Sequence, residues 1–521
     1  MQPDNDDAPS HAADDTLVRA LRRWLEADTG QPVALVETHI SWVLLTDRLA
    51  YKVKKPVRLG FVDFRSLAAR RHFCEEEVRL NSRLAPDLYL GVVPVCGTPQ
   101  VPHLHDGEPI DYAVCMRRFP DGLLLSELAP AGRIDGALLD DFAARLAAFH
   151  AQAEVAAPLS EFGGPQQIAR AMTDVLARLR CEVGAPRTRP LQRWLAEQRE
   201  ALRTAWRERQ RHGAVRECHG DLHGANVVLL DGQLTAFDGL EFDPGLRWID
   251  VMSDVAFLTM DLQAHDRADL AYRLLDGWLQ HNGDYAGLAV LRCYEVYRAL
   301  VRALVQALHH RDGHASPPGA PDYLAWAQRH AQPPRSARLL ITHGVSGSGK
   351  STMASALLAE AGAIRVRSDV ERKRLFGLSA LAQSGAAALD IYTPEATRRT
   401  FERLAACARS ALLAGWPVIV DGAFLRREER AAFRKLATEL RVPFSILHCH
   451  AAPVQLRTRV ASRARAGVDA SEATPQVLER QLAGYEPLDA SERACVLDAV
   501  TDEAVDVAAL CARWMAAGNS A

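Results

Sequence analysis

Residues 218–239, CHGDLHGANVVLLDGQLTAFDG, set two histidines and three aspartates in one short run. Asp221 stands two residues after His219, Asn226 five after Asp221, and Asp238 closes a second apolar stretch. A loop carboxylate such as Asp221 can orient a hydroxyl and take its proton. An amide oxygen on the same loop (Asn226) and a carboxylate at the end of the next strand (Asp238) can share a divalent cation. Together they make the set that moving a phosphoryl group from a nucleotide to a hydroxyl requires. NVVLL and LTAFD read as the two short strands that present it. A metal cluster on His219 and His223 is the competing reading, and it gives Asn226 and the second strand no part.

A second constellation lies more than a hundred residues on. Gly344-Val-Ser346-Gly347-Ser348-Gly349-Lys350-Ser351-Thr352 matches G-x-x-x-x-G-K-[ST]. It follows an apolar run and opens a helical one, so its backbone N–H groups can wrap phosphates at a helix start. Lys350 would reach the β/γ-phosphates and Ser351 would hold Mg²⁺. Asp421 ends the apolar strand VIVDG, where a carboxylate supports that ion through water. Asp369, just past the run AIRVRS, either takes a proton from an attacking hydroxyl or caps the helix that begins there. Arg459 and Arg463 fall four apart on one helical face. They are either solvated surface charges or a clamp on the transferring group.

Lysine occurs six times, which draws attention to RLAYKVKKP, a strand with Lys52 and Lys54 on one face. Lys52 is the choice for the α/β-phosphates. In the following CEEEVRLN, Glu77 would pair with it, with Glu76 as the alternate. The run AVCMRRFPDG (113–122) reads as a hinge strand whose backbone would bind adenine.

Two resemblances follow from these motifs. HGDLHGAN, FDG, YKVKKP and the hinge make 35–310 similar to the aminoglycoside phosphotransferase and choline-kinase-like family. No G-x-G-x-x-G precedes the lysine strand, where THISWVLL stands instead and offers Ser41 only as a weak candidate for a phosphate contact. The resemblance implies that Asp250 and Asp254 hold the catalytic loop. GVSGSGKST, RSDVERKRLFG, VIVDGAF and LRTRVASR make 337–521 similar to P-loop small kinases of the AAA_33 type, grouped with zeta-toxin and polynucleotide-kinase relatives. There the carboxylate at the position of Asp369 is the candidate base, and lid arginines close over the phosphates. The fusion resembles the bifunctional aminoglycoside phosphotransferase/ATP-binding protein family. It implies ATP and Mg²⁺ as cofactors and unidentified small-molecule hydroxyls as acceptors.

The elements that must position these groups divide the chain. At 521 residues it exceeds one hydrophobic core. Strands at 33–37, 41–46, 49–54, 91–95 and 111–118 surround a helix at 66–84, and helices dominate after 243. The expectation is a two-lobed α+β protein-kinase-like fold over 16–310. Prolines crowd 311–336, the expected linker. Beyond it, strands alternate with helices, the pattern of an α/β P-loop fold with a parallel sheet over 337–521.

Composition bounds the rest. Ten cysteines never form C-x-x-C, and together with the acidic, polar residues 1–15 they lead us to expect a disordered tail on a cytoplasmic protein. The strand end LHCHA (447–451) puts His448 and His450 opposite Cys449, and reads as a plain strand end rather than a metal site. Net charge is +4 over 337–521 and −7 over the rest, which disfavours nucleic acid as a partner. No apolar stretch reaches the roughly 18 residues of a membrane span. Two other functions stay open: a nucleotide-gated regulator with an inactive N-terminal domain, and a nucleic-acid 5′-hydroxyl kinase in the C-terminal half.

Overall fold

The structure is a computed structural model that describes residues 14–59, 62–158, 160–316, 319–332, 336–380, 382, 391–466 and 470–517. The expected tail and parts of the expected linker therefore lie largely outside the described residues. The chain forms two compact units. The first takes in the chain up to Arg133, with Ala153–Phe162 and Val215–Asp254; the second holds Ile134–Gln152, Gly163–Ala214 and everything from Val255.

In the first unit, the helix Thr16–Thr29 ends at Gly30, whose left-handed φ of 67° lets its N–H return to Glu26 O. Strands β1 (Ala34–Glu37), β2 (Ser41–Leu45) and β3 (Leu49–Lys54) form an antiparallel meander. A short hairpin follows, β4 (Arg58–Leu59) with β5 (Val62–Asp63). Then come the helix Leu67–Asn81 and strands β6 (Tyr89–Thr98), β7 (Val101–Leu104) and β8 (Pro109–Arg117). The sheet order is β1-β2-β3-β8-β6-β7.

Alternation along β3 sorts its side chains. Tyr51 and Val53 join Val18, Leu21, Leu25 and Trp42 in the core under the first helix. Lys52 and Lys54 therefore emerge on the opposite face. There Cys74 of the helix Leu67–Asn81 packs with Val114 and Val228. Ser66 starts that helix by accepting from Ala69 N at 3.1 Å.

Strand β9 (Val215–Glu217) leads into the loop with His219. β10 (Val227–Leu230) and β11 (Gln233–Ala236) form the expected hairpin, and β12 (Trp248–Asp250) returns to pair with β9.

The second unit joins helices, among them Gly136–Gln152, Ala268–Asn282 and Leu288–Arg311, to a parallel sheet. Its strands are β13 (Arg338–His343), β14 (Ile364–Arg367), β15 (Pro417–Asp421), β16 (Phe444–His450) and β17 (Val496–Val500), in the order β14-β15-β13-β16-β17. The central strand β13 is buried throughout, as a parallel strand covered on both faces should be. Leu340, Ile419, Leu447 and Leu497 meet Met353, Leu357 and Trp514 in the core on one side.

Elements from before and after 311–336 pack on one another within this unit. Arg365 on β14 makes two bonds to Asp276 of the helix Ala268–Asn282, at 3.2 and 2.6 Å, and Trp416 Nε1 donates to Leu288 O at 3.2 Å. Proline content marks a joint in the chain there, but side-chain packing does not. Among the described residues, no helix is long and apolar enough to cross a membrane.

Candidate functional site

The first site gathers on the face of β3 that carries the lysines. Lys52 Nζ donates to Glu77 Oε1 at 2.8 Å and to Asp238 Oδ1 at 2.6 Å. Glu77 is therefore the partner; Glu76 instead pairs with Arg79 on the outer side of the helix. Lys54 Nζ donates to Glu77 Oε2 at 2.5 Å and to Glu241, so two ammonium groups and two buried carboxylates interlock. Burial works against the Lys52 ammonium, but Asp238 and Glu77 outweigh it and hold the group well above the ordinary lysine range. Burial likewise works against the Glu77 carboxylate, and Lys52 and Lys54 outweigh it, so its pKa falls.

The loop after β9 is held from beneath. Asp254 Oδ2 accepts from His219 N at 2.8 Å, and Oδ1 accepts from Gly220 N at 2.9 Å. Asp250 Oδ1 accepts from Met252 N at the start of the next helix. Gly220 has φ 85°, and a Cβ there would meet Leu246 O at 2.7 Å, so no side chain fits between His219 and Asp221.

His219 is committed at both ring nitrogens. Nε2 lies 2.9 Å from Phe237 O, and Nδ1 accepts from Asp221 N at 3.2 Å. That fixes a neutral tautomer with its proton on Nε2, in keeping with a pKa lowered by burial. With no lone pair left, His219 cannot be a metal ligand, and the two-histidine cluster is excluded.

Asn226 Nδ2 donates to Asp221 O at 3.0 Å and to Asp221 Oδ2 at 3.1 Å. This orients the base candidate and leaves the Asn226 amide oxygen to accept from, or ligate, another group. Phe237 N donates to Asn226 O, so the hairpin brings Asp238 beside Asn226. Asp238 itself lies in the left-handed region at φ 61°, with its N–H on the Tyr89 hydroxyl at 3.0 Å.

Where a glycine-rich loop is missing, Thr38 closes the β1–β2 turn. Its N–H and hydroxyl donate to Ser41 O, and its Oγ1 accepts from Ser41 N. Ser41 is fully buried, and its hydroxyl has no hydrogen-bond partner among the described residues.

The second site is the loop 344–349 between β13 and the helix Lys350–Ala361. Gly344 has φ 143°, and a Cβ there would meet Cys449 O at 2.3 Å, so backbone packs directly on backbone. Lys350 Nζ donates to Val345 O at 2.7 Å, and burial lowers its pKa against the pull of Asp421. Ser346, Gly347, Ser348 and Gly349 line the turn, Ser351 is half-buried at the helix start, and Thr352 is exposed. Asp421 is buried at the end of β15. Its Oδ2 and the Ser348 hydroxyl have no hydrogen-bond partner among the described residues. The Ser348 hydroxyl can donate to a phosphate, and the Asp421 carboxylate, with Arg367 and Arg365 3.7 and 3.9 Å from its Oδ2, can accept from the waters of a hydrated cation.

Asp369 is the second residue of the helix Ser368–Leu375, and the N-cap position belongs to Arg367, so the capping alternative falls. Arg459 departs from the expected clamp. Nη1 donates to Gly347 O at 3.3 Å and to Thr501 Oγ1 at 2.9 Å, and Nη2 to Thr501 O at 2.6 Å. The guanidinium braces the phosphate loop against the end of β17. Arg463, one turn on, lies close enough to Lys350 for its charge to lower that pKa.

Sequence reasoning passed over several contributors. Glu241 and Lys54 complete the buried charge network. Gln481 Oε1 accepts from Ser346 N at 2.7 Å, so a side chain from the helix Pro475–Gly484 holds one of the loop's amides. The strand alternation shows Lys54 beside Lys52, but nothing local shows its partner or marks Glu241 and Gln481, because each acts on a group far away in the chain.

The fold pairs an antiparallel sheet and its helices with a five-stranded parallel sheet whose central strand leads into the G-x-x-x-x-G-K-[ST] loop. Residues 339–488 match the family described as AAA domain, AAA_33. Over 461 residues the chain is 31% identical to uncharacterized protein Rv2004c of Mycobacterium tuberculosis, covering 86% of this chain and 90% of the relative. The same values hold for uncharacterized protein Mb2027c of Mycobacterium bovis. The chain belongs to the family of these mycobacterial proteins. Among solved structures, choline kinase from Cryptosporidium parvum Iowa II aligns at a TM-score of 0.37 and 9% identity, over 60% of this chain and 90% of that one. A gluconokinase from Sinorhizobium meliloti 1021 aligns at 0.26 and 20% identity, over 35% and 95%.

Proposed function

We propose that the protein is an ATP-dependent phosphotransferase with two kinase-like domains, 16–310 and 337–521 joined by 311–336. Each moves the γ-phosphoryl group of ATP to a hydroxyl of a small molecule. The observation that carries this reading is the joint between Lys52, Glu77 and Asp238, made by residues from a strand, a helix and a distant hairpin. It sits in the same unit as the Asp221–Asn226 pair.

In the first domain, Lys52 binds the α/β-phosphates and Glu77 keeps its ammonium in place. Asp221 accepts the proton of the acceptor hydroxyl as the new O–P bond forms and the bond from Pγ to the β-bridging oxygen breaks, releasing ADP. Asn226 Oδ1 and Asp238 would hold Mg²⁺. In the second domain the amides of 344–349 with Lys350 cradle the phosphates, Ser351 and Asp421 would hold Mg²⁺, Asp369 takes the proton, and Arg463 steadies the phosphoryl group. The ion's part in both is to neutralise charge on the phosphate oxygens.

The test is ATP consumption by the full chain against a metabolite library, with mass-spectrometric detection of phosphorylated products. Asp221→Asn and Asp369→Asn should each lower one product by roughly 10²–10⁴-fold and spare nucleotide affinity. Loss of neither product would sink both base assignments.

A second reading, regulation of the P-loop site by the N-terminal domain, draws support from one contact. Arg365 is paired with Asp276 of the helix Ala268–Asn282 and lies 3.9 Å from Asp421. A shift of that helix would move a cation toward or away from the carboxylate meant for Mg²⁺.

A further inference from the structure

The edge of the parallel sheet carries a group of side chains that the phosphoryl chemistry does not use. His448 and His450 alternate on β16, so both project from the same face, while Cys449 joins the core on the other. The β16–β17 register sets Asp498 directly opposite His448. The two imidazole rings stack at 5.0 Å, and His450 Nε2 lies 3.1 Å from Asp498 Oδ2. One ligand atom from each of the three residues falls within 4.8 Å of the others.

A further histidine stands behind them. His343 ends β13 opposite His448, and the two Nδ1 atoms lie 2.8 Å apart. His343 is 1% exposed, and its Nε2 finds no hydrogen-bond partner among the described residues.

We propose that His448, His450 and Asp498 form a binding site for a first-row transition-metal dication of the zinc or cobalt type, distinct from the Mg²⁺ positions of both kinase-like domains. Two ligands each about 2.1 Å from one tetrahedral ion lie roughly 3.4 Å apart, close to the separation of His450 Nε2 and Asp498 Oδ2. Two imidazoles and one carboxylate favour such an ion over Mg²⁺, which prefers oxygen alone. His448 would ligate through Nε2. Its Nδ1–H then donates to His343 Nδ1, the outer hydrogen bond that orients a ligating histidine. His343 is thus a positioning residue. Because Gly344 follows it directly, the metal site and the phosphate loop share one strand end. Three protein ligands leave a position for water, and the half-exposed edge supplies access.

The experiment is titration of the full chain with Co²⁺ in excess Mg²⁺ and without nucleotide, followed by visible absorption. One Co²⁺ per chain with tetrahedral d–d bands and no thiolate charge-transfer band is expected. His450→Ala and Asp498→Ala should each weaken binding at least about 10-fold, as should His343→Phe through loss of the orienting bond. His450 and Asp498 are partly exposed, so these variants should fold, and unchanged thermal denaturation without metal checks it. Displacement of Co²⁺ by Zn²⁺ should bleach the bands. Absence of uptake, a thiolate band, or full stoichiometry and affinity in both His450→Ala and Asp498→Ala would each overturn the assignment.

Discussion

Replacing Lys54 by methionine isolates the part of the first site that sequence reasoning left without a role. Lys54 is fully buried, as is Glu77, and Glu241 is 4% exposed. The network holds Lys52 and Lys54 against Glu77 and Glu241, a balanced set once Asp238 engages a cation. Without Lys54, Lys52 still pairs with Glu77, but the buried Glu241 carboxylate loses the ammonium that donates to it and keeps only the through-space charge of Lys52. Burial already raises its pKa with Lys54 present. Keeping it neutral at pH 7, from an unfolded value of about 4.3, costs about 3.7 kcal/mol. That falls within the roughly 3–5 kcal/mol lost when one partner of a buried pair is removed.

A carboxyl whose folded pKa is raised favours folding below its unfolded value, and that benefit is lost as pH rises through the folded value. The Lys54→Met defect should therefore be largest at pH 8 and shrink toward pH 5. The assay is native-state hydrogen exchange read on peptides from β3 and the helix Leu67–Asn81. It reports local stability without requiring the whole chain to unfold in one step. Protection should drop by roughly 10²–10³-fold at pH 8. Lys54→Met combined with Glu241→Gln should recover most of it, since the orphaned charge is gone. A defect under about 1 kcal/mol at pH 8, a defect independent of pH, or a double variant no better than the single would rule out an orphaned Glu241 charge as the cause.

Three other outcomes are expected. Lys350→Ala should reduce the stoichiometry of ATP–Mg²⁺ binding from two per chain to one in calorimetry, and an unchanged second site in the folded variant would reject the phosphate-loop assignment. Asp276→Asn weakens the hold on Arg365, which already lies 3.9 Å from Asp421 and would close on it, so the Mg²⁺ concentration for half-maximal ATP binding at the second site should rise several-fold; no change would count against coupling through Arg365. Glu295 is buried, accepts from Thr259 and Gln263, and has its pKa pushed up to about 7 by burial. Its contribution to stability is full below about pH 4.5 and falls by roughly 3 kcal/mol by pH 7. Glu295→Gln should flatten that slope and raise Tm at pH 8, and an unaltered profile of Tm against pH would dismiss the idea.

Much of the site was written locally. The spacing of His219, Asp221, Asn226 and Asp238, and the strand–loop–helix around Lys350, follow from a few consecutive residues. Turn geometry, alternation and helix starts are set within one or two turns of chain, so they can be read there. The lysine face of β3 was legible for the same reason. Tertiary packing decided everything that depends on how separate elements register. Glu77 rather than Glu76 meets Lys52 because of the rotation of one helix against a sheet. Asp238 reaches the same lysine across 186 residues. Arg365 turns to Asp276 across 89, Gln481 takes the Ser346 amide from a later helix, and Arg459 braces the loop through Thr501. The register of two parallel strands, which neither strand shows alone, sets Asp498 opposite His448. A buried charge must be paired, but which distant group pairs with it depends on the packing of elements whose relative positions no short stretch of sequence contains.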